Sequence, residues 1–255
     1  MFFEFSLKCF TDLVVYIPRR YFITMENDYP MLNDCCPAAT NIKPDTEMEL
    51  AILFIDIRNF TRLMEVQSSQ SVIQVVRRLF TAFNQVVKNF HGKVVEIAGD
   101  NLYAVFGLQT NVREAANNAY QAAIMMFKTV NLFNTAYAEP FYGGPLEIGV
   151  GINTGKVFVG EFALDGPPAL SVMGLPVNIA SRLQGKTKEL NNDLLISEDT
   201  YRLLDTNETV FEQQTVRLQG ISQGQQIRLA GKPYNTGHSL AGTRHDMDYL
   251  LAISG

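Results

Sequence analysis

The stretch LFIDIRNFTRLME, residues 53–65, presents the problem that decides the fold: an apolar run ends at Asp56, and a helical pattern begins five residues later. A buried carboxylate is costly unless a partner compensates its charge. Asp56 therefore has two interpretations. Either it caps the helix that follows, or it ends a buried strand as a ligand of a metal ion. The second interpretation requires another acidic residue that the fold brings close to Asp56.

The composition indicates a globular chain that does not bind nucleic acid. Of its 255 residues 47% are hydrophobic, which is enough to bury the core of one large domain. Its net charge of -5 opposes binding to a phosphate backbone, although a nucleotide held through metal ions remains compatible. Cys9, Cys35 and Cys36 form neither a disulfide framework nor a paired metal motif, which predicts a reducing, cytoplasmic setting.

The first 20 residues predict an amphipathic helix, because apolar residues recur there at helical spacing: Phe3, Leu7, Phe10, Val14 and Ile17. Charged residues interrupt the segment, so it is too polar and too short to span a bilayer. We expect its apolar face to pack on protein, and membrane contact is the less favoured alternative. A linker with three prolines follows. The predicted division is a helix and linker over 1–47, a main domain over 48–230 and a C-terminal extension over 231–255.

The main domain shows strands and helices in alternation. The turn signal Gly99-Asp100-Asn101 joins two strands into a hairpin, and Asn153-Thr154-Gly155 is interpreted as the turn of a second strand pair. Helical periodicity covers 60–90 and 112–137, and a third helix begins near Pro176. Further strands are expected at 48–55, 193–197, 211–218 and 225–230. This order is typical of an α+β sandwich of the ferredoxin-like βαββαβ type.

The required second acid is Asp100, in the turn of the first hairpin. In a βαββαβ sheet this turn lies beside the end of the first strand, where Asp56 is. Two carboxylates about 4 Å apart repel by about 4 kcal/mol at an effective dielectric constant of 20. A divalent cation with hard oxygen ligands, Mg²⁺ or Mn²⁺, would relieve this repulsion and could carry substrate phosphates. Taken alone, Asp100 is also explained by ordinary turn chemistry.

Four segments, in this order and spacing, resemble the catalytic domain of class III nucleotidyl cyclases: FIDIRNFT, EIAGDNLYAVFG, GVGINTGKVFVGE and SVMGLPVNIASRLQ. The resemblance covers about residues 48–230. It implies an enzyme that converts a nucleoside triphosphate into its 3′,5′-cyclic monophosphate and pyrophosphate. It also implies a homodimer in which two active sites lie at the interface.

The resemblance assigns roles to residues of both chains. Asp56, Ile57 and Asp100 of one chain would hold two divalent cations. The other chain would supply Asn178, which orients the ribose, and Arg182, which neutralises charge on the reacting phosphorus. Asn178 and Arg182 stand four residues apart and so share one helix face, where a merely solvated polar pair is the plain alternative.

The same resemblance explains how the triphosphate would be bound and cleaved. Backbone amides of Phe60 and Thr61, where a helix begins, would bind phosphate oxygens. The cations would activate the ribose 3′-hydroxyl for in-line attack on the α-phosphorus and stabilise the leaving pyrophosphate.

Base selection in this family resembles a two-residue code, and the matching positions here are Glu96 and Ser171. Adenylate cyclases place lysine at the first position as a donor to adenine N1. Glu96 is an acceptor, so ATP is disfavoured. A carboxylate beside a hydroxyl matches an N–H next to a C=O, which both guanine and uracil offer. Hydrogen bonding cannot separate the two bases, so pocket depth must; we predict UTP first and GTP as the alternative.

Gln219 departs from the family pattern. Many members have lysine there, in an LKG segment, where it contacts the triphosphate. Phosphate binding should be weakened unless Arg217, Lys156 or Lys186 substitutes for that lysine. A catalytically silent module for dimerisation or nucleotide binding is therefore a further alternative.

Finally, a chain of 255 residues leaves no room for the sensor domains of hormone- or light-regulated cyclases. In this respect it resembles the stand-alone pyrimidine (uridylate) cyclases of bacterial anti-phage defence. The resemblance implies a cyclic UMP messenger and a downstream effector that binds it.

Overall fold

The computed structural model describes residues 46–66, 68–135, 145–162, 168–205 and 210–234. These residues belong to one of two compact units of the chain, Ile42–Gly255. The predicted N-terminal helix and nearly all of the predicted C-terminal extension lie outside the described residues. The division at 47 and 231 therefore stays a prediction.

The described residues form eight strands and five helices. The strands are β1 (Thr46–Ile57), β2 (Gly92–Ala98), β3 (Asn101–Phe106), β4 (Ile148–Phe162), β5 (Ala169–Met173), β6 (Leu194–Ser197), β7 (Glu212–Val216) and β8 (Gln225–Leu229). The helices are α1 (Phe60–Val66), α2 (Ser69–Asn89), α3 (Val112–Phe133), α4 (Leu175–Glu189) and α5 (Glu198–Tyr201). No helix in the described ranges is long and apolar enough to cross a membrane.

All eight strands form one mixed sheet in the order β2-β3-β1-β4-β6-β8-β7, with β5 paired to β4. β4 and β6 run parallel, and the other pairs are antiparallel. The predicted α+β class and the βαββαβ order, which runs here from β1 to β4, are confirmed. The three later strands also lie where the sequence predicted them.

β1 is buried on both faces because helices cover both sides of the sheet. Leu50 and Ile52 join a core cluster with Ala180 of α4. Ala51 and Leu53 are equally inaccessible, and strand alternation directs them to the opposite face, on which α3 packs against β1. β1 can therefore carry a nearly continuous apolar run until it reaches Asp56.

The predicted turn at Asn153-Thr154-Gly155 is wrong, because these residues lie inside the continuous strand β4. These residue types are instead explained by their contacts with α4. The Asn153 side-chain amide donates to the carbonyl of Pro176 over 2.9 Å. A Cβ atom on Gly155 would come within 2.7 Å of the Pro176 ring, so glycine permits the close approach of helix and strand.

The helix predicted over 60–90 is interrupted. α1 ends at Val66, and α2 begins at Ser69 after Ser68, whose hydroxyl accepts a hydrogen bond from the amide of Ser71 as an N-cap. The second predicted helix is present as α3, Val112–Phe133, which begins at the predicted residue; the last two predicted residues, 136 and 137, lie outside the described ranges.

Candidate active site

Asp56 lies one residue before the end of β1, between Asn101 of β3 and Gly149 of β4. Its side chain is 20% exposed. The side-chain amide of Asn101 donates to Oδ1 of Asp56 over 3.2 Å. Arg58 Nη1 lies 3.3 Å from Oδ2. Since Asp56 belongs to the strand and helix α1 begins only at Phe60, the helix-cap interpretation is wrong.

Asp100 stands where the hairpin was predicted to place it. Its backbone carbonyl accepts a hydrogen bond from the amide of Ile57 over 3.3 Å, which joins the β2–β3 turn to the end of β1. The pKa of Asp56 is raised to about 6, mainly by burial and also by the charge of Asp100 and a hydrogen bond with it; Arg58 and Gln184 partly offset this rise. Asp100 is therefore close enough for its charge to act on Asp56.

The donor set at this point suits a hard divalent cation. Two carboxylates converge, and the pKa of one of them is raised by burial and by its neighbour. A cation bound between them would offset the cost of burying the Asp56 charge and the repulsion between the two carboxylates. No group of three or more His, Cys, Asp or Glu side chains that could hold a metal ion occurs in the described part of the chain.

The other residues predicted at this end of the sheet also lie close to Asp56. Ile57 is 1% exposed and its side chain has no donor atom, so only its backbone carbonyl could be a metal ligand. Phe60 and Thr61 are the first two residues of α1, as predicted. The helix follows Asn59, which has a positive φ of 56° and marks a sharp change of direction after the strand.

Tyr103 lies opposite Glu96 and contacts the residue next to Ser171. Glu96 of β2 is the cross-strand partner of Tyr103 of β3. Burial and then the charge of Glu96 raise the pKa of Tyr103. The Tyr103 hydroxyl donates to the carbonyl of Val172, the neighbour of Ser171 in β5, over 3.3 Å. The Tyr103 ring stacks on Phe54, with ring centroids 4.6 Å apart.

Asn178 and Arg182 lie on the exposed side of α4. The opposite side packs on the sheet, where Ala180 and Leu183 are inaccessible and a Cβ atom on Gly151 would clash with the helix backbone. The structure therefore does not bring Asn178 or Arg182 to the carboxylates of the same chain. Their outward position is what the predicted contribution to a partner's site requires.

Comparison with known proteins identifies this arrangement. A family model described as the adenylate and guanylate cyclase catalytic domain matches residues 42–231. The chain belongs to the adenylate and guanylate cyclase family. The class III cyclase resemblance of the four sequence segments is thereby confirmed at the level of the family.

Relatives in this family include enzymes named for both purine substrates. The chain is 29% identical to adenylate cyclase 1 of Rhizobium meliloti over 150 residues, which span 58% of this chain and 22% of that protein. The adenylyl cyclase CyaB from P. aeruginosa has 25% identity and a TM-score of 0.67, covering 74% of this chain and 97% of that one. The guanylyl cyclase Cya2 has 26% identity and a TM-score of 0.66, covering 75% and 98%.

The cyclase domain carries a second polar region on α4. A cavity of about 420 Å³ is lined by Arg182, Lys186, Arg217 and Gln219, among others. The residue that departs from the family pattern, Gln219, thus shares a cavity with Arg182. Lys156, one of the predicted substitutes, lies elsewhere, on β4, with its Nζ 3.9 Å from Glu47.

Sequence reasoning missed the role of Arg58. Its Nη2 donates to Thr187 Oγ1 over 2.6 Å and to the carbonyl of Gln184 over 3.3 Å, and its Nε donates to the Tyr234 hydroxyl over 3.2 Å. Asp56 and Arg58 are two residues apart, and this spacing, which puts side chains on one face of a strand, was a signal for their ion pair. The contacts with α4 and Tyr234 left no signal in the sequence.

Proposed function

We propose that this protein is a metal-dependent nucleotidyl cyclase that acts as a homodimer and uses UTP in preference to other nucleoside triphosphates. The observation that carries the proposal is the convergence of Asp56 and Asp100 at the ends of β1 and the β2–β3 hairpin. The family match supports cyclase chemistry. Because the aligned stretch is a small part of the first relatives, their substrates and assemblies are not carried over directly.

The residues around Asp56 would organise the reacting groups. Asp56, Asp100 and the backbone carbonyl of Ile57 would hold two cations, Mn²⁺ or Mg²⁺, which supply activation of the ribose 3′-hydroxyl and charge neutralisation at the phosphates. Amides of Phe60 and Thr61 would bind phosphate oxygens at the start of α1. Arg58 would keep the Asp56 carboxylate in one orientation.

The positions of Asn178 and Arg182 support the proposed homodimer. Asn178 and Arg182 project from the outer side of α4, away from the carboxylates of their own chain. A second copy that faces this side would bring Arg182 to the α-phosphate and Asn178 to the ribose. Each dimer would then contain two composite sites related by two-fold symmetry.

UTP is favoured over GTP by the position of Tyr103. Glu96 and Ser171 would offer an acceptor and a donor to an N–H and C=O edge, which both bases possess. Tyr103 is 7% exposed, its ring is stacked on Phe54, and its hydroxyl spans from β3 to β5 next to these two positions. Because the Tyr103 ring occupies the space next to these positions, we expect room for a single-ring base, whereas a purine would need a deeper pocket.

The test is a turnover assay of the purified full chain with ATP, GTP, CTP and UTP in the presence of Mn²⁺, with products identified by mass. Cyclic UMP as the main product is the expected result. Cyclic GMP as the main product would support a guanylate cyclase, the alternative that Glu96 also fits. Asp56→Asn should abolish turnover while its circular dichroism spectrum stays unchanged. If the folded wild type turns over none of the four substrates, the result would support the alternative of a catalytically silent module for dimerisation or nucleotide binding.

A role in anti-phage defence, a cytoplasmic location and a cyclic-nucleotide-binding effector are further parts of this proposal. They rest on the resemblance to uridylate cyclases. The corresponding measurement is cyclic UMP in host cells after phage infection. A rise that disappears with Asp56→Asn would support the defence role, and a level that does not change would contradict it.

A further inference from the structure

We propose that Arg217 supplies the triphosphate-binding cation that is absent at Gln219. The proposal rests on the proposed function and names the residue that binds the polyphosphate part of its substrate. Gln219 and Arg217 line the same cavity of about 420 Å³ on the outer side of α4. Arg182 lines this cavity too, so the two arginines face one space.

The local structure around Gln219 explains why a cation at Arg217 can reach the same cavity as a side chain at position 219. Leu218 is 3% exposed and belongs to a core cluster with Leu183 and Ile227. Arg217 and Gln219, on either side of this anchor, are both exposed. The burial of Leu218 thus fixes the segment, and both neighbours reach the cavity. A guanidinium group also offers a phosphate two parallel N–H donors, which an ammonium group does not.

The other cations near Gln219 are less available. Lys186 lines the cavity, but its Nζ lies 2.5 Å from Oε2 of Glu189 in an ion pair. Lys156 is outside the cavity and close to Glu47. Arg217 takes part in none of the ion pairs found among the described residues. Its charge is therefore available to an anion that enters the cavity.

The charge of the cavity fits a polyphosphate. Arg182, Lys186 and Arg217 contribute three positive charges, and Glu189 contributes one negative charge. The excess of cations favours a multiply charged anion. Bound triphosphate and free pyrophosphate share this chemistry, so both should compete for Arg217.

The first experiment is steady-state turnover by Arg217→Gln, with Lys156→Gln as the matched control, since each variant removes one exposed positive charge. We expect Arg217→Gln to raise the KM for the nucleotide about tenfold with kcat within about twofold, and to weaken inhibition by pyrophosphate similarly. Lys156→Gln should leave both values near those of the wild type. Adding Gln219→Lys to Arg217→Gln should restore the KM.

Equal effects of Arg217→Gln and Lys156→Gln, or no effect of Arg217→Gln, would overturn the role of Arg217. The proposed function fails separately, if the wild type has no turnover. In that case calorimetric titration of tripolyphosphate into the wild type and the two variants still decides: weaker binding by Arg217→Gln alone supports the assignment, and equal binding by all three proteins overturns it.

Discussion

Arg58 Nη1 lies 3.3 Å from Oδ2 of Asp56, and the same guanidinium group contacts Thr187 and the carbonyl of Gln184 in α4. Tyr234 completes the network, because its hydroxyl accepts from Nε and its ring centroid is 5.5 Å from the Arg58 Cζ. One side chain therefore joins the carboxylate at the end of β1 to the helix that carries Asn178 and Arg182. The Arg58 side chain is 11% exposed, so little water competes for these contacts.

Arg58→Ala is expected to lower the free energy of unfolding by about 2–3 kcal/mol, because it leaves the Asp56 carboxylate and three neutral partners without their donor. Chemical denaturation measures this change. Arg113→Ala is the control, since Arg113 and Asp205 are 3.0 Å apart but 58% and 67% exposed. That pair should contribute less than about 1 kcal/mol. Similar losses for both variants would show that Arg58 has no special structural role.

The pKa of Asp56 predicts how metal binding depends on pH. It is raised from 3.8 to about 6. Without metal, the stability that this group contributes is present below its ordinary pKa and is lost as pH rises through about 6. A cation binds the ionised form, so protons compete with it below that value.

We therefore expect Mn²⁺ to raise the melting temperature more at about pH 7.5 than at about pH 5, as thermal unfolding with and without Mn²⁺ would show. Asp56→Asn removes the titrating group and should make the metal-free protein less sensitive to pH between these values. The same variant should lose most of the stabilisation by Mn²⁺. An equal effect of Mn²⁺ at both pH values would contradict the prediction.

The position of Asp100 beside Asp56 could be predicted from the sequence because it depends on local signals. The turn residues Gly99-Asp100-Asn101 fix the hairpin, and alternating apolar strands place that hairpin next to β1. The contacts of Arg58 could not be predicted. They join residues 129 and 176 positions apart along the chain, and only the packing of α4 brings these together.

Asn153-Thr154-Gly155 shows how a local signal can mislead. The composition favours a turn, yet β4 continues through all three residues. Gly155 is needed because Pro176 of α4 lies where its Cβ would be, and Asn153 binds the carbonyl of Pro176. A contact between elements distant in sequence thus selected residues that otherwise occur in turns.

Tyr103 is expected to limit the size of the base. Tyr103→Leu removes the ring that lies opposite Glu96 and next to Val172, so under the proposed base selection the ratio of kcat/KM for GTP to that for UTP should rise about tenfold. Tyr103→Phe keeps the ring, lacks only the hydroxyl that donates to Val172, and should change the ratio much less. Competition between the two substrates measures the ratio directly. An unchanged ratio in Tyr103→Leu would mean that Tyr103 does not determine the depth of the base pocket.

Glu96 should decide between acceptor and donor recognition. Glu96→Lys replaces the acceptor with a donor, so turnover of UTP and GTP should fall at least about tenfold while turnover of ATP increases. Glu49→Lys, at an exposed position of β1, reverses the same charge away from Tyr103 and should leave the preference unchanged. A loss of all activity in Glu96→Lys without gain of ATP turnover would contradict a role in base choice.

Composite sites predict complementation between two inactive variants. If Asp56 and Arg182 of one chain serve different sites, then neither Asp56→Asn nor Arg182→Ala homodimers have a complete site. In a mixed dimer one site carries both substitutions and the other carries none. When equal amounts are unfolded and refolded together, half of the dimers are mixed and each has one intact site of two, so about a quarter of wild-type activity should return. Refolding each variant alone is the control and should restore none. If the mixture stays inactive although mixed dimers are detected, Arg182 does not act in the partner's site.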